Sequence, residues 1–289
     1  MSALENSFAP FDAPLAAALA ANVQAALAED IGKGDATGRL VPENEWVTAR
    51  VLAREEAVLC GAPWFEGVMI GLDGGMRIDW HYAEGAVMAA NSVVCAIHAP
   101  ARALFTAERT ALNFLQLLSA VATSTRACVE TIKGTRAQIV DTRKTLPGLR
   151  LAQKYAVRVG GGKNHRLGLY DGILIKENHI AAAGGITAAL RRAVGLNAGV
   201  PIQIEVENLQ QLDEALAAGA GSILLDNFDL EAMRAAVTRT AGRALLEASG
   251  GVTRENVRAI AATGVDRISV GSLTKDVHAT DYSLRIVAA

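Results

Sequence analysis

The residues that could carry chemistry in this sequence come directly after short apolar stretches in its second half. Arg143 and Lys144 follow the first of these stretches, and Lys176 follows the second. Carboxylates accompany the third and fourth stretches, at Glu205 and Asp226. Clustered cations bind multiply negative groups, and carboxylates are the usual protein ligands of a magnesium ion that also bridges phosphate oxygens. The pattern indicates a site for magnesium and a phosphorylated ligand.

The joint pattern carries this interpretation, because a single charged residue at a strand end is more often a solvated loop residue. Three cations crowded into one concave site would be costly without a partner. An unpaired buried charge costs several kcal/mol, whereas a surface ion pair contributes only about 0 to 1 kcal/mol. An anionic ligand would remove that cost. We therefore predict that Arg143, Lys144 and Lys176 share a binding site.

Small residues follow the last two apolar stretches. Ser249, Gly250 and Gly251 come after the fifth stretch, and Gly271 and Ser272 come after the sixth. Glycine allows a phosphate to approach backbone N–H groups closely, although ordinary tight turns use glycine as well. Next to the predicted cations, these residues indicate phosphate binding.

Six apolar stretches must position these side chains, and helical segments separate them. The stretches cover residues 137–140, 172–175, 202–206, 222–225, 244–247 and 267–270. Alternation of this kind is typical of βαβ units and a parallel sheet. Six units are fewer than the eight of a complete barrel, so we expect a shortened, incomplete parallel α/β barrel. An open doubly wound sheet shares the pattern and stays an alternative.

The first half of the chain has a different pattern. Apolar residues at helical spacing over 14–29 end at glycines, and 46–53 and 92–99 read as strands around a helical segment at 61–72. Residues 101–133 contain neither proline nor glycine, and their apolar residues recur at helical spacing. This pattern predicts one or two helices. This half is expected to form an α+β domain.

Composition limits the classes of function. The chain has 289 residues, 51% of them hydrophobic, and a formal net charge of -2, so no overall field would attract nucleic acid or an anionic membrane. No apolar run reaches the ~18 residues of a membrane span, and no signal peptide is recognisable. Cys60, Cys95 and Cys128 are odd in number and widely spaced, which favours buried thiols in a reducing compartment. We expect a cytoplasmic protein.

The glycine run at 160–162 is not a nucleotide-binding loop. It follows a helix and lacks both the dinucleotide-binding spacing and the Ser or Thr of a P-loop. We expect a flexible segment that presents His165 and Arg166, which extend the cationic pattern.

Across nearly its whole length the sequence resembles the quinolinate phosphoribosyltransferases. The resemblance is carried by the ordered segments DIGKGDAT, ERTALNFLQLLSAVAT, DTRKTLPGLR, GGGKNHRLGLYDGILIKENHI, EVEN, LLDN, EASGGV and VGSLTK. It implies an N-terminal α+β sandwich domain over 1–116, completed by the tail 276–289, and an incomplete α/β barrel over 117–275. It further implies a homodimer that transfers phosphoribose from phosphoribosyl pyrophosphate to quinolinate, with release of pyrophosphate and carbon dioxide.

The resemblance also implies residue roles. Quinolinate would be bound by Arg109 of the neighbouring subunit together with Arg143, His165, Arg166 and Lys176. Phosphoribosyl pyrophosphate and Mg²⁺ would be bound by Arg143, Lys144, Glu205, Asp226, Ser249, Gly250, Gly251, Gly271 and Ser272, with Glu205 and Asp226 holding the metal directly or through water. The catalytic set would be Lys144, Lys176, Glu205 and Asp226. The roles of Asn178 and His179 stay open.

Three other functions remain possible at this point. A ModD-like enzyme would share the barrel but use another nitrogenous acceptor. A Schiff-base aldolase would use Lys176 as an amine nucleophile, which borohydride would trap. A non-catalytic phosphate-binding module would release no pyrophosphate with any acceptor.

Overall fold

The structure, a computed structural model, describes residues 11–42 and 45–288. It divides into two compact units. The first comprises the chain through Arg126, Thr145–Gly161 and the segment that starts at Asp276. The second comprises Ala127–Lys144 and Gly162–Lys275. The domain bounds inferred from the sequence stay a prediction.

The strands are β1 (Trp46–Ala53), β2 (Ala57–Val58), β3 (Arg77–Trp80), β4 (Val87–Met88), β5 (Ser92–Pro100), β6 (Gln138–Val140), β7 (Ile173–Ile175), β8 (Ile202–Val206), β9 (Ser222–Asp226), β10 (Leu245–Ser249), β11 (Arg267–Ser269) and β12 (Tyr282–Ala288). The helices are α1 (Ala13–Ile31), α2 (Ala62–Leu72), α3 (Ala101–Thr131), α4 (Arg150–Val159), α5 (Glu177–Ala183), α6 (Ile186–Gly195), α7 (Leu209–Ala217), α8 (Leu230–Thr240), α9 (Val257–Ala261) and α10 (Ser272–Lys275). A short 3₁₀ helix covers Gly38–Leu40.

The first unit contains an antiparallel sheet of four strands in the order β12-β1-β5-β3, with β2 and β4 forming a separate pair. Alternate residues of β1 are buried, as expected for a strand with one face on the core. Trp64 and Phe65 of α2 are fully buried in the same core. The expected mixture of helices and strands is confirmed, and residues 101–131 form one continuous helix, α3.

Helix α4 belongs to the first unit, although the sequence pattern placed it among the barrel helices. Residues 152–157 are all buried, and Tyr155 packs on Trp64 with a ring-centroid distance of 5.4 Å. The apolar residues of α4 join the core of the first unit. Periodicity predicted the helix correctly but could not show which core it packs against.

The second unit contains six parallel strands in the order β6-β11-β10-β9-β8-β7. Strands β6 and β7 lie at the two edges, so strand pairing does not close the sheet. Gln203 of β8 donates to Glu247 of β10 at 3.0 Å across the intervening strand β9, so both side chains lie on the same face of the sheet. An incomplete parallel barrel is the architecture predicted, and the prediction is confirmed.

All three cysteines are buried free thiols, which agrees with their interpretation as packing residues. Within residues 11–42 and 45–288, no helix is both long and apolar enough to cross a bilayer.

A buried carboxylate fixes the start of α2 in the first unit. Glu84 is 6% exposed and accepts hydrogen bonds from the backbone N–H groups of Gly61 at 2.7 Å and Ala62 at 3.1 Å. The Tyr155 hydroxyl donates to the same carboxylate at 3.1 Å. Burial raises the pKa of Glu84 to about 7, because desolvation outweighs the stabilisation of the carboxylate by these donors.

The raised pKa of Glu84 predicts that stability falls as the pH rises. Its pKa is ordinarily 4.5, so between pH 4.5 and about 7 the unfolded chain loses this proton before the folded chain does. The free energy of unfolding should therefore decrease by about 3 kcal/mol across that window and not change further above it. Urea unfolding of wild type and Glu84→Gln as a function of pH measures the difference. The substitution should remove this slope, whereas Glu56→Gln, at an exposed position, should retain it.

Candidate active site

The predicted site residues of the second unit lie at the carboxyl ends of its strands. Lys176 follows β7, and Glu205 is the penultimate residue of β8. Asp226 and Ser249 end β9 and β10 and are paired in register. Because neighbouring parallel strands end at the same edge of a sheet, these four side chains belong to one edge. Their functional roles stay predictions.

An ion pair joins two of these residues. Lys176 Nζ donates to Glu205 Oε2 at 2.9 Å, and the Glu205 side chain is 10% exposed. Lys176 also precedes α5, where its backbone N–H donates to Nδ1 of His179 at 3.0 Å. His179 thus acts as a cap that holds the backbone of Lys176. The sequence left the role of His179 open, and this contact gives it a structural one.

Two arginines lie close enough to repel each other. The pKa of Arg166 is lowered, first by burial and then by the positive charge of Arg143. The Arg166 guanidinium also donates to the carbonyl oxygen of Gly172 at 3.1 Å, which fixes its position. Like charges near each other in a partly buried site favour an anion between or beside them. The structure brings two of the predicted cations, Arg143 and Arg166, near each other, and the shared site of Arg143, Lys144 and Lys176 stays a prediction.

Lys144 lies beside the residues that follow β11. A methyl group at Gly271 would contact Lys144 Cδ at 3.3 Å, so the lysine side chain passes directly over this glycine. The Thr274 hydroxyl donates to the carbonyl oxygen of Lys144 at 2.8 Å, and the Lys144 N–H donates to the Thr142 hydroxyl at 3.0 Å. The structure therefore brings Lys144, Gly271 and the adjacent Ser272 together.

The glycine at position 250 is required by its neighbour. Asn227 has a left-handed backbone (φ 55°), its N–H donates to the carbonyl oxygen of Ser249 at 2.9 Å, and its side-chain amide donates to Asp226 at 3.0 Å. Gly250 has φ +97°, and a methyl group there would overlap the Asn227 side-chain oxygen. Space beside Gly250 therefore lets Asn227 orient the Asp226 carboxylate.

The segment that carries His165 is held against β6 by hydrogen bonds, in contrast to the flexible segment expected. Lys163 N–H donates to Ile139 O at 2.9 Å, and Asp141 N–H donates to Lys163 O at 3.2 Å. The buried carboxylate of Asp141 accepts from the Asn164 amide at 2.6 Å and from the His165 N–H at 2.9 Å. Backbone pairing with β6 was not visible as an apolar stretch in the sequence.

Sequence reasoning missed Gln203, which contacts the predicted site residue His165, and Glu247, which contacts Gln203. Gln203 lies 3.0 Å from the His165 ring and donates to Glu247, and both are buried. The available signal was the appearance of Gln and Glu inside the otherwise apolar strands IQIEV and LLEAS. Buried polar groups require partners, so such residues indicate a network.

Arg109 lies on α3 in the first unit and is exposed. On the same helix, Thr106 donates to Asp35 at 2.8 Å and Thr110 donates to Asp30 at 3.1 Å. The Gly38 N–H and then the Thr106 hydroxyl hold the pKa of Asp35 below its ordinary value. The DIGKGDAT and ERTALN segments therefore contact each other, and this contact fixes the loop beside the turn that carries Arg109.

The carboxylates suit a magnesium ion that arrives with a phosphorylated ligand. Within the described part of the chain, no group of three or more Asp, Glu, His or Cys residues could hold a metal by itself. Glu205 and Asp226 supply two carboxylates at one edge. Mg²⁺ usually takes one or two protein carboxylates and completes its shell with water and substrate phosphates. The donor set fits that use better than it fits a resident metal with only protein ligands.

A six-stranded parallel sheet with cations, carboxylates and glycines at the carboxyl ends of its strands places the second unit in the class of incomplete α/β barrels. The comparisons define the family. The model of the quinolinate phosphoribosyl transferase N-terminal domain matches residues 35–119, and that of the C-terminal domain matches residues 121–285. This chain belongs to the quinolinate phosphoribosyl transferase family.

Individual relatives agree over almost the whole length. Nicotinate-nucleotide pyrophosphorylase [carboxylating] of Mycobacterium leprae is 44% identical over 91% of this chain and 95% of its own. A probable enzyme of the same name from Bacillus subtilis is 42% identical over 89% of this chain and 90% of its own. The solved structure of nicotinate-nucleotide pyrophosphorylase from Francisella tularensis is 45% identical, covers 94% of this chain and 96% of its own, and has a TM-score of 0.91.

The packing of Asn227 on Gly250 predicts different effects at two adjacent glycines. Gly250→Ala should destabilise the protein by about 2 to 4 kcal/mol, because it adds both backbone strain and a steric overlap. Gly251→Ala, at φ +58° with no atom near the added methyl group, should cost only about 1 kcal/mol. Urea unfolding measures both. Asn227→Gly should recover part of the loss in Gly250→Ala, and equal losses in the two alanine variants would contradict the steric explanation.

Proposed function

We propose that this chain transfers the phosphoribosyl group of phosphoribosyl pyrophosphate to quinolinate with decarboxylation. The products are nicotinate mononucleotide, pyrophosphate and carbon dioxide, and the reaction is a step of NAD biosynthesis. The carrying observation is the collection of cations and carboxylates at one edge of the parallel sheet, in a chain whose relatives at 42% and 44% identity are named for this reaction. The chain is therefore an enzyme.

Binding of the acceptor, the dicarboxylate quinolinate, is assigned to the cationic residues of the site. Arg143, Arg166 and Lys176 would compensate the two negative charges of quinolinate, and His165 would lie beside them. Arginine suits this role because its planar guanidinium can hold a carboxylate through two charge-assisted hydrogen bonds. The repulsion between Arg143 and Arg166 supports the assignment, since a bound anion relieves it.

The donor side is assigned to residues around Lys144. Lys144, Gly271 and Ser272 would contact phosphoribosyl pyrophosphate together with Ser249, Gly250 and Gly251. Glu205 and Asp226 would hold Mg²⁺, directly or through water. When bound, the ion would neutralise charge on the pyrophosphate.

In the reaction, the pyridine nitrogen of quinolinate attacks the anomeric carbon of the ribose as the bond from that carbon to the pyrophosphate oxygen breaks. Lys144 compensates negative charge on the leaving group, and the arginines hold the acceptor in line. Such positioning can supply roughly 7 to 11 kcal/mol of the acceleration. The pyridinium then accepts the electron pair released when the adjacent carboxylate leaves as carbon dioxide, and the ring carbon is protonated. No cysteine nucleophile is required.

Lys176 is better suited to binding an anion than to forming a Schiff base. Its amino group is in an ion pair with Glu205 and its side chain is 46% exposed. An amine nucleophile is normally generated in apolar surroundings or beside another cation. This contact disfavours the aldolase alternative.

The proposal further assigns the protein to the cytoplasm as a homodimer in which Arg109 serves the neighbouring subunit's site. The three reduced, buried cysteines support a reducing compartment. The exposed Arg109 side chain, on a helix tied to the DIGKGDAT loop, supports a contribution to a second chain.

The test of the function is product formation from quinolinate, phosphoribosyl pyrophosphate and Mg²⁺. Nicotinate mononucleotide and carbon dioxide should appear together, and nicotinate should be a poor acceptor. Arg143→Ala and Lys176→Ala should each lower kcat/KM by about 100-fold or more, because each removes a charged contact to a buried anion. Lys133→Ala, at a side chain 79% exposed, should leave the rate unchanged. Near-normal rates in the Arg143 or Lys176 variants would refute the site.

Sharing of Arg109 is tested by mixing inactive variants. Arg109→Ala and Lys176→Ala protomers, after verified subunit exchange, should regain about a quarter of wild-type activity, because half of the dimers are hybrids with one intact site of two. Arg143→Ala mixed with Lys176→Ala should regain nothing, because both changes affect the same subunit's contribution. Absence of recovery in the first mixture would place Arg109 outside the neighbouring site.

A further inference from the structure

A buried chain of hydrogen bonds crosses the inner face of the second unit's sheet and ends at His165. Glu247 of β10 is 0% exposed and accepts a hydrogen bond from the Ser269 hydroxyl of β11. Gln203 of β8 donates to the other Glu247 oxygen at 3.0 Å. Gln203 Oε1 lies 3.0 Å from His165 Nε2, which is also 3.5 Å from Glu247 Oε1.

The Glu247 carboxylate fixes the direction of these hydrogen bonds. A carboxylate only accepts hydrogen bonds, so the Gln203 amide must turn its NH₂ group toward Glu247 and its oxygen toward the histidine. His165 Nε2 must then carry the proton that it donates to Gln203. The other ring nitrogen, Nδ1, accepts the backbone N–H of Arg166 at 2.8 Å. Both contacts are satisfied by the same neutral tautomer of His165.

This tautomer couples the interior of the sheet to the acceptor side of the site. The His165 ring holds the backbone of Arg166, whose guanidinium donates to the Gly172 carbonyl and lies near Arg143. With the opposite tautomer, a ring N–H would face the Arg166 N–H and that hydrogen bond would be lost. The backbone from which the Arg166 guanidinium extends would then shift.

We infer that Glu247 is a positioning residue for the acceptor pocket, acting through Gln203 to fix the tautomer of His165 and thereby the placement of Arg166. The inference rests on the proposed function for the identity of the acceptor. It also assigns His165 the role of a neutral hydrogen-bonding residue, so that the charge of the dicarboxylate is compensated by the arginines and Lys176.

The test replaces the carboxylate by an amide of the same shape in a Ser269→Ala background, because the Ser269 hydroxyl could otherwise accept from the new NH₂ group and leave the amide oxygen facing Gln203. In Glu247→Gln, the new NH₂ group can face Gln203 only if the Gln203 amide turns over, which presents an NH₂ group to His165 and favours the opposite tautomer. The KM for quinolinate should rise about tenfold, while the KM for phosphoribosyl pyrophosphate should stay within about twofold. In ¹⁵N-histidine NMR, the His165 ring signals, assigned with His165→Asn, should change from the Nε2–H to the Nδ1–H pattern.

Ser269→Ala is the matched control, because it removes the other donor to the same carboxylate and leaves the Gln203 contact to His165 in place. It should lower the thermal unfolding temperature but leave the tautomer and the quinolinate KM unchanged. If Glu247→Gln does not fold, Gln203→Met removes the link to His165 at similar volume and should raise the same KM selectively.

The outcomes separate this inference from the proposed function. An unchanged tautomer and quinolinate KM in a folded protein with both Ser269→Ala and Glu247→Gln would overturn the inference. Equal increases in both KM values, shared by Ser269→Ala, would show a general structural role and would overturn it as well. If the wild-type protein formed no product from quinolinate, the proposed function would fail, whereas the NMR comparison would still test the control of His165 by Glu247.

Discussion

The alignment of six parallel strands is the constraint on which the candidate site depends. Parallel strands present their carboxyl ends at the same edge, so residues far apart in sequence, such as Lys176 and Asp226, belong to the same edge of one sheet. On one face of the sheet, side chains of non-adjacent strands also meet, as in the contact between Gln203 and Glu247. The strand ends therefore carry the predicted site residues, and one face of the sheet carries the buried polar groups that contact His165.

Much of this arrangement followed from the sequence because strand ends can be recognised one at a time. The predicted stretch 202–206 coincides with β8, and Lys176 and Glu205, both expected at strand ends, form an ion pair. The core against which an amphipathic helix packs cannot be recognised from the spacing of its own apolar residues. Residues 150–159 have a clear helical period, yet only the three-dimensional structure shows that Tyr155 packs in the first unit.

Contacts between residues distant in sequence set the other limit on prediction. Gly250 looked like a phosphate-binding glycine, and its place at a strand end supports that use, but the structure adds a second reason in the overlap with Asn227. The sequence leaves the role of His179 open, and the structure shows that its ring caps the backbone of Lys176. In both cases the contact with a neighbouring residue supplies a structural role that the residue type alone does not reveal.

The electrostatics of the arginine pair bear on how the proposed enzyme would discriminate between acceptors. The charge of Arg143 adds to burial in lowering the pKa of Arg166, and in the proposed site two carboxylates would offset this positive charge better than one. Nicotinate, with one carboxylate, would leave part of the positive charge uncompensated after water is displaced. A site with unpaired polar or charged groups rejects an analogue far more strongly than an apolar pocket rejects a missing methylene group. Selectivity for a dicarboxylate would therefore arise from the concentration of positive charge around Arg143 and Arg166, to which a neutral His165 would add no further charge.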